Sequence, residues 1–294
     1  MMKKLIAVAV ALSATSAFAG QALDQAKESN QIIVGHRTNS APYSAENNKK
    51  GNGFAVATND GTFVEGYSLE ITKYIIDDVN KAVGKNLTVV PKKVDSGNRM
   101  AFIKTGQIAI EAGSTTITDE RKKDTDFVLI DLDSVNALYL SSTKFNSVED
   151  LRGTNVVVAA GSTGLTAIQA LNNKGFNINV MITKDYPEAL SKLNTHQAQF
   201  LVTDRVLEAG LIAKEEAGKY SISKTPVSDL KEPIGIMIYK NDAELVKIAH
   251  NAVDKLRANG KLAELHEKYF NSDFTGVNLH LPLTAAQKSE LGIK

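Results

Sequence analysis

Short apolar runs that read as strands alternate with amphipathic, helix-spaced stretches in two successive sets, and this alternation limits the fold more than any other feature of the chain. Ile32-Ile33-Val34 reads as a strand. Ser68 then caps a helix that carries Ile71, Ile75, Val79 and Val83 on one face, and Gly84 ends it. Leu87 to Val94 is a second strand, Ser96 caps a short helix that closes at Gly106, and Ile108 to Glu111 is a third strand. A βαβαβ order implies a mainly parallel sheet with helices on both faces.

The second set begins after Arg152-Gly153. Asn155 to Ala160 reads as a strand, Gly161-Ser162-Thr163-Gly164 opens a helix with Leu165, Ile168 and Leu171 inward, and Val180-Met181-Ile182 is the next strand. Asp185 and Glu188 form a capping box around Pro187, which suits the first helical position. Gln199 to Thr203 and Gly235 to Tyr239 are further strands. Two amphipathic helices follow, one with Leu245, Ile248, Ala252 and Leu256, the other with Leu262, Leu265 and Tyr269. Two α/β sets predict two lobes with a cleft between them, and ligands of open α/β sheets sit at the carboxyl ends of strands. Ala45 to Phe63, rich in Asn, Lys and Gly, reads as an irregular surface loop.

The N-terminus reads as a cleavable export signal over residues 1–19. Lys3 and Lys4 precede a short apolar stretch from Leu5 to Ala14, and Ala17-Phe18-Ala19 has the A-x-A cleavage pattern. The formal charge of +1 becomes −1 when those two lysines are removed, and a near-neutral balance argues against a nucleic-acid partner. With no cysteine, disulfides, thiolate metal sites and an N-terminal lipid anchor on cysteine are excluded. The expectation is an exported, monomeric protein, free in a bacterial periplasm or secreted and not tethered by lipid.

The polar residues that could carry chemistry lie in turns at strand ends. Gly113 to Lys123 follows an apolar strand with hydroxyls, backbone N–H groups and one arginine. Thr118 suits a helix N-cap with Asp119 and Glu120 in the first turn, which places Arg121 near Ser114 and Thr116. A guanidinium there could clamp a carboxylate through two parallel hydrogen bonds; an ordinary capped helix with a solvated arginine is the alternative. Ser96 and Arg99, at i and i+3 after the second strand, offer a second carboxylate-binding arrangement. Arg37 directly follows the first strand. The neighbouring His36 reads as a packed or exposed histidine rather than a metal ligand.

Gly161-Ser162-Thr163-Gly164 is too short for a P-loop and fits a small anion such as a carboxylate. Asp204 ends a mostly apolar strand, where an acid must cap a helix or meet a cation such as a ligand ammonium. Tyr186, at another strand end, could offer its phenol.

Val34-Gly35-His36-Arg37, Ser96-Gly97-Asn98-Arg99, the Gly113–Lys123 stretch, Gly161-Ser162-Thr163 and Asp204-Arg205-Val206-Leu207 occur in an order and spacing that resemble the periplasmic solute-binding proteins of polar amino-acid ABC importers (family 3). Within that family the chain looks most like the glutamate/aspartate-binding proteins. The resemblance runs from about Ile32 to Phe270. It implies a two-lobed periplasmic-binding-protein fold of type II, with residues 20–133 and 232–294 in the first lobe and 134–231 in the second. The crossovers would fall near Asp131–Asn136 and Lys231–Gly235.

It also implies roles for the residues. Arg121, with Ser162 and Thr163, would hold a ligand α-carboxylate, and Asp204, with Ser114 and Thr116, the α-ammonium. Arg37, Ser96 and Arg99 would hold a side-chain carboxylate, and an ABC-importer permease would be the partner. No cofactor or metal is implied. Tyr186 departs from the pattern, standing where acidic-ligand receptors often carry histidine, and the insert before Gly66 is longer than usual.

Three arginines against Asp204 alone favour a ligand with two carboxylates, because a neutral ligand would leave buried guanidiniums uncompensated. The alternatives are a receptor for another polar amino acid or small carboxylate, and a periplasmic cyclohexadienyl dehydratase-like enzyme. The enzyme would need a placed general acid, and no unpaired Glu or Lys stands out in the motif turns.

Overall fold

A computed structural model of the protein describes residues 22–229 and 231–270, together with positions 286 and 289. The expected export signal over residues 1–19, and all but those two positions of the expected return segment beyond 270, lie outside the described residues.

Two five-stranded sheets organise the chain. In the first, the strand order is Thr88–Lys93, Gln31–His36, Ile110–Thr116, Glu232–Ile238 and Asp126–Asp133. Only Glu232–Ile238 runs against its neighbours. The second orders Asn179–Thr183, Asn155–Ala159, Phe200–Asp204, Val135–Leu140 and Tyr220–Ile222. This is the two-lobed α/β architecture expected from the alternation. The chain passes between the sheets at Ser134, between Asp126–Asp133 in one and Val135–Leu140 in the other, and it re-enters the first sheet at Glu232.

Each lobe closes over its own apolar core. Helix Tyr67–Val83 buries Ile71, Ile75 and Val79 at a helical period, and Gly84 ends it in a left-handed conformation. Fully burying one such side chain contributes roughly 1.5–3 kcal/mol, so this face alone holds the helix on the sheet. Helix Ala243–Ala258 returns to the same lobe, with Leu245, Ala252 and Leu256 in the same core. In the second lobe, helix Thr163–Asn173 buries Ile168 and Leu171 against Val156, Val158 and Val202.

Three local expectations are corrected. Ser68 does not cap its helix: Gly66 holds the N-cap position, and Ser68 Oγ donates to the Gly113 carbonyl at 2.6 Å. Ser96 does not cap either. Helix Arg99–Lys104 starts after Asn98, and the turn before it is tied by Asp95, whose carboxylate accepts from the N–H groups of Gly97 and Asn98. Finally, Ala45 to Phe63 is not wholly irregular. Asn39–Ser40, Ser44–Asn47, Val56–Ala57 and Phe63–Glu65 form a small antiparallel sheet that includes its two ends.

Candidate functional site

The strand-end turns of the two sheets face one another. Thr118 caps helix Asp119–Lys122 by accepting from the Arg121 N–H at 3.2 Å, so the backbone directs the arginine toward the lobe boundary. Its Nη1 donates to the Thr116 carbonyl at 2.7 Å and its Nη2 to the Gly161 carbonyl of the second lobe at 2.9 Å. The Thr116 and Thr163 hydroxyls meet at 3.4 Å across the same boundary.

Gly161 has φ +67°, and any side chain there would collide with the Ser96 carbonyl. Glycine is therefore required both by the backbone conformation and by the closeness of the lobes. Ser162 caps helix Thr163–Asn173, accepting from the Leu165 N–H and donating to the Ala159 carbonyl at 2.7 Å. Tyr186, Val206 and Leu207 reach from the second lobe into the apolar cluster of the first.

Around this boundary lie polar side chains removed from water. Arg37, Ser96, Arg99, Ser114, Thr116, Ser162, Tyr186 and Asp204 are all buried, while Thr163 and Arg121 are partly so. Nη1 of Arg37, Nε of Arg99, Oγ of Ser96, Oγ of Ser114 and Oδ1 of Asp204 have no hydrogen-bond partner. An unmade hydrogen bond at a buried polar atom costs about 1–3 kcal/mol, so five in one place are expected where a polar ligand completes them. Tyr186 is the first residue of helix Tyr186–Asn194, and its ring centroid lies 5.8 Å from the Arg37 guanidinium carbon. Arg37 and Tyr186 also wall a polar cavity of about 650 Å³ whose lining includes Lys93, Asn98 and Lys184.

The electrostatics point the same way. Burial, then the nearby Arg121 and Arg37, pull the Arg99 guanidinium down to about 9. Crowded, desolvated cations of this kind are stabilised by an anion placed among them. Burial also lowers Arg121, although Asp204 and Glu232 favour its charged form. Asp204 is raised by burial, against the pull of Arg99 and Arg121. His36 is packed, with its Nε2 2.8 Å from Glu46 Oε1, and no group of metal-ligating side chains occurs among the described residues.

Two acids of the site escaped the sequence reading. Glu111 is fully buried, with Oε2 accepting from the Thr115 hydroxyl at 2.9 Å and Oε1 unpartnered. It bears on the Arg99 and Arg121 guanidiniums. Glu232 begins strand Glu232–Ile238, is buried, and faces Arg121 and Asp204. The charge inventory is therefore three arginines against three acids, not against Asp204 alone. An acid inside the apolar run that holds Ile108 and Ile110 was a readable signal for Glu111. Glu232 gave none, because it reaches the site only through a strand inserted from the far end of the chain.

A mainly parallel sheet in each of two lobes, with buried donors and acceptors converging between them, defines a two-lobed periplasmic-binding-protein architecture of type II. The chain belongs to the bacterial extracellular solute-binding proteins, family 3, whose model matches residues 32–272. It is 30% identical to an L-glutamate/L-aspartate-binding protein of Pseudomonas aeruginosa, over 90% of this chain and 86% of that one. It is 27% identical to the ABC transporter glutamine-binding protein GlnH of Bacillus subtilis, over 84% of each chain. Its fold matches a substrate-binding protein of an ABC uptake transporter from Streptococcus pneumoniae, solved with bound histidine, with a TM-score of 0.71. That match has 21% identity and covers 87% of this chain and 98% of the other.

Proposed function

We propose that the protein is a periplasmic receptor that binds an acidic amino acid, glutamate or aspartate, by hinge closure and hands it to an ABC-importer permease. The observation that carries this reading is the pair of buried guanidiniums, Arg37 and Arg99, each with an N–H left unpartnered. Among the described residues neither forms an ion pair. A second ligand carboxylate supplies what they lack, while Arg121 takes the α-carboxylate and Asp204 the α-ammonium. Ser162 and Thr163 would close on the ligand from the second lobe, and Ser96, Ser114, Thr116 and Tyr186 from the remaining sides. The residue ranges 20–133 with 232–294, and 134–231, serve as the two moving bodies, and cleavage after Ala19 would release the chain into the periplasm.

Titration calorimetry of refolded, ligand-stripped protein with glutamate, aspartate, glutamine and histidine tests this. Tight binding of the two acids and weak binding of the others is expected. Heat with none of the four would refute the reading. Small-angle scattering should show compaction on adding the acid, and identical profiles would rule out hinge closure.

One observation favours a second reading. Glu232 is a buried carboxyl beside the cleft arginines and is raised to about 7 by burial and by Asp204, a value suited to a general acid. A dehydratase acting on a cyclohexadienyl acid could use such a group. Absorbance assays with prephenate and arogenate separate the two readings, and the receptor reading expects no turnover.

A further inference from the structure

Among the three acids that face the cleft arginines, Glu232 is set apart by where it stands. It is 4% exposed and opens the strand that re-enters the first sheet, directly at the lobe boundary. The hydroxyls of Thr116 from the first lobe and Thr163 from the second lie beside its carboxyl, and its Oε2 is buried without a partner. The charged groups around it come from several elements. Asp204 approaches from the second lobe, Arg121 from helix Asp119–Lys122, and Asp133 is its register partner on the adjacent strand. Burial and Asp204 push its carboxyl up, the two hydroxyls and Arg121 pull it down, and the balance falls at about 7.

The charge count then depends on one proton. Burial and Asp204 hold the Asp133 carboxyl well above the usual range, so it is counted as neutral. With Glu232 ionised, three guanidiniums then meet the carboxylates of Glu111, Asp204 and Glu232, and a ligand of zero net charge preserves the balance. With Glu232 neutral, the cleft holds one positive charge in excess and matches a ligand of net charge −1. An uncompensated charge in a closed, desolvated cleft is costly, so the ligand's charge and the Glu232 proton are thermodynamically linked. Threonine hydroxyls donate or accept equally well, so Thr116 and Thr163 can serve either state.

We infer that Glu232 is a specificity-determining residue of the cleft, setting its preference between a dicarboxylic amino acid, taken with Glu232 neutral, and the corresponding uncharged amide, taken with Glu232 ionised. This rests on the reading of the cleft as an amino-acid site.

The test is titration calorimetry of glutamate and glutamine from about pH 6 to about pH 8, a window that brackets the folded value of Glu232 and stays below the titration of a free amino acid's ammonium. The wild type and Glu232→Gln are compared, in buffers of differing ionisation enthalpy. For the wild type, glutamate binding should take up a proton above neutrality, and its affinity relative to glutamine should fall by up to about tenfold per pH unit. Glu232→Gln should hold that ratio constant at its low-pH value.

A pH-independent ratio with no proton uptake in the wild type overturns the proposal. So does a variant that keeps the wild-type slope, since Asp204 or Asp133 would then carry the titration. The buffer dependence of the wild-type heats decides the matter even if the variant does not fold. Binding of neither ligand at any pH overturns the amino-acid reading and this proposal with it, an outcome distinct from binding without pH dependence.

Discussion

Arg121 of the first lobe donates to the carbonyl of Gly161 in the second at 2.9 Å, while its other terminal nitrogen holds the Thr116 carbonyl of its own lobe at 2.7 Å. One guanidinium thus ties the mouth of the cleft to both lobes. The group proposed to grip the ligand also reports whether the lobes are together.

Arg121→Ala should therefore abolish binding of every amino acid, acidic or neutral. Losing a bidentate, charge-assisted contact and an interlobe hydrogen bond corresponds to about 3 kcal/mol or more, roughly a hundredfold in affinity. Calorimetry measures it, and retention of affinity within tenfold would show that another group holds the α-carboxylate.

Arg99→Ala should discriminate among ligands. Affinity for the dicarboxylic amino acids should fall by at least about tenfold, while glutamine should be much less affected, because the lost charge faces the side-chain end of the proposed ligand. A change below about threefold for glutamate would mean that the side-chain carboxylate lies elsewhere.

Gly161→Ala acts on closure rather than on the ligand. A left-handed backbone costs a non-glycine residue about 1–2 kcal/mol, and the added methyl would meet the Ser96 carbonyl, a contact made only when the lobes are together. The expected result is a loss of affinity of about tenfold or more with scattering shifted toward the open form at a given ligand concentration. Unchanged affinity would show that the cleft binds its ligand without this approach.

Glu208 supplies a stability prediction. It is fully buried, and burial followed by the neighbouring Asp133 raises it well above the usual carboxylate range, against the weaker pull of the Thr203 and Leu138 backbone. The folded state then holds a proton that the unfolded chain releases from about pH 4.5 upward, so this group's contribution to stability declines as pH rises from there toward its folded value. Glu208→Gln should remove that decline, and its melting temperature relative to wild type should rise from about pH 5 to pH 8. Parallel melting curves across that range would contradict it.

Fold and candidate site were legible to different degrees. The cap at Thr118 holds as read, and so does the first half of the box at Asp185, each side chain accepting from an N–H three residues on, because such bonds depend only on neighbouring residues. The Glu188 carboxylate accepts from the Lys184 N–H instead of closing the box on Asp185. The same logic failed at Ser68 and Ser96. The first hydroxyl turns to a carbonyl 45 residues away, and the second is buried at the lobe boundary without a partner. The four strands around the insert are only two to four residues long and pair with each other, so no alternating pattern in the sequence announced them.

By itself the sequence determined the α/β alternation, the two sets, the polar strand-end turns and the residues those turns present, since periodicity and capping act over a few residues. Tertiary structure alone decided the charge balance of the cleft. Glu232 lies more than a hundred residues from Thr116 and Arg121 and meets them only because its strand inserts between Ile110–Thr116 and Asp126–Asp133. Coulombic partners are set by distance in space, and that distance exists only once the sheet order and the closure of the lobes have been fixed.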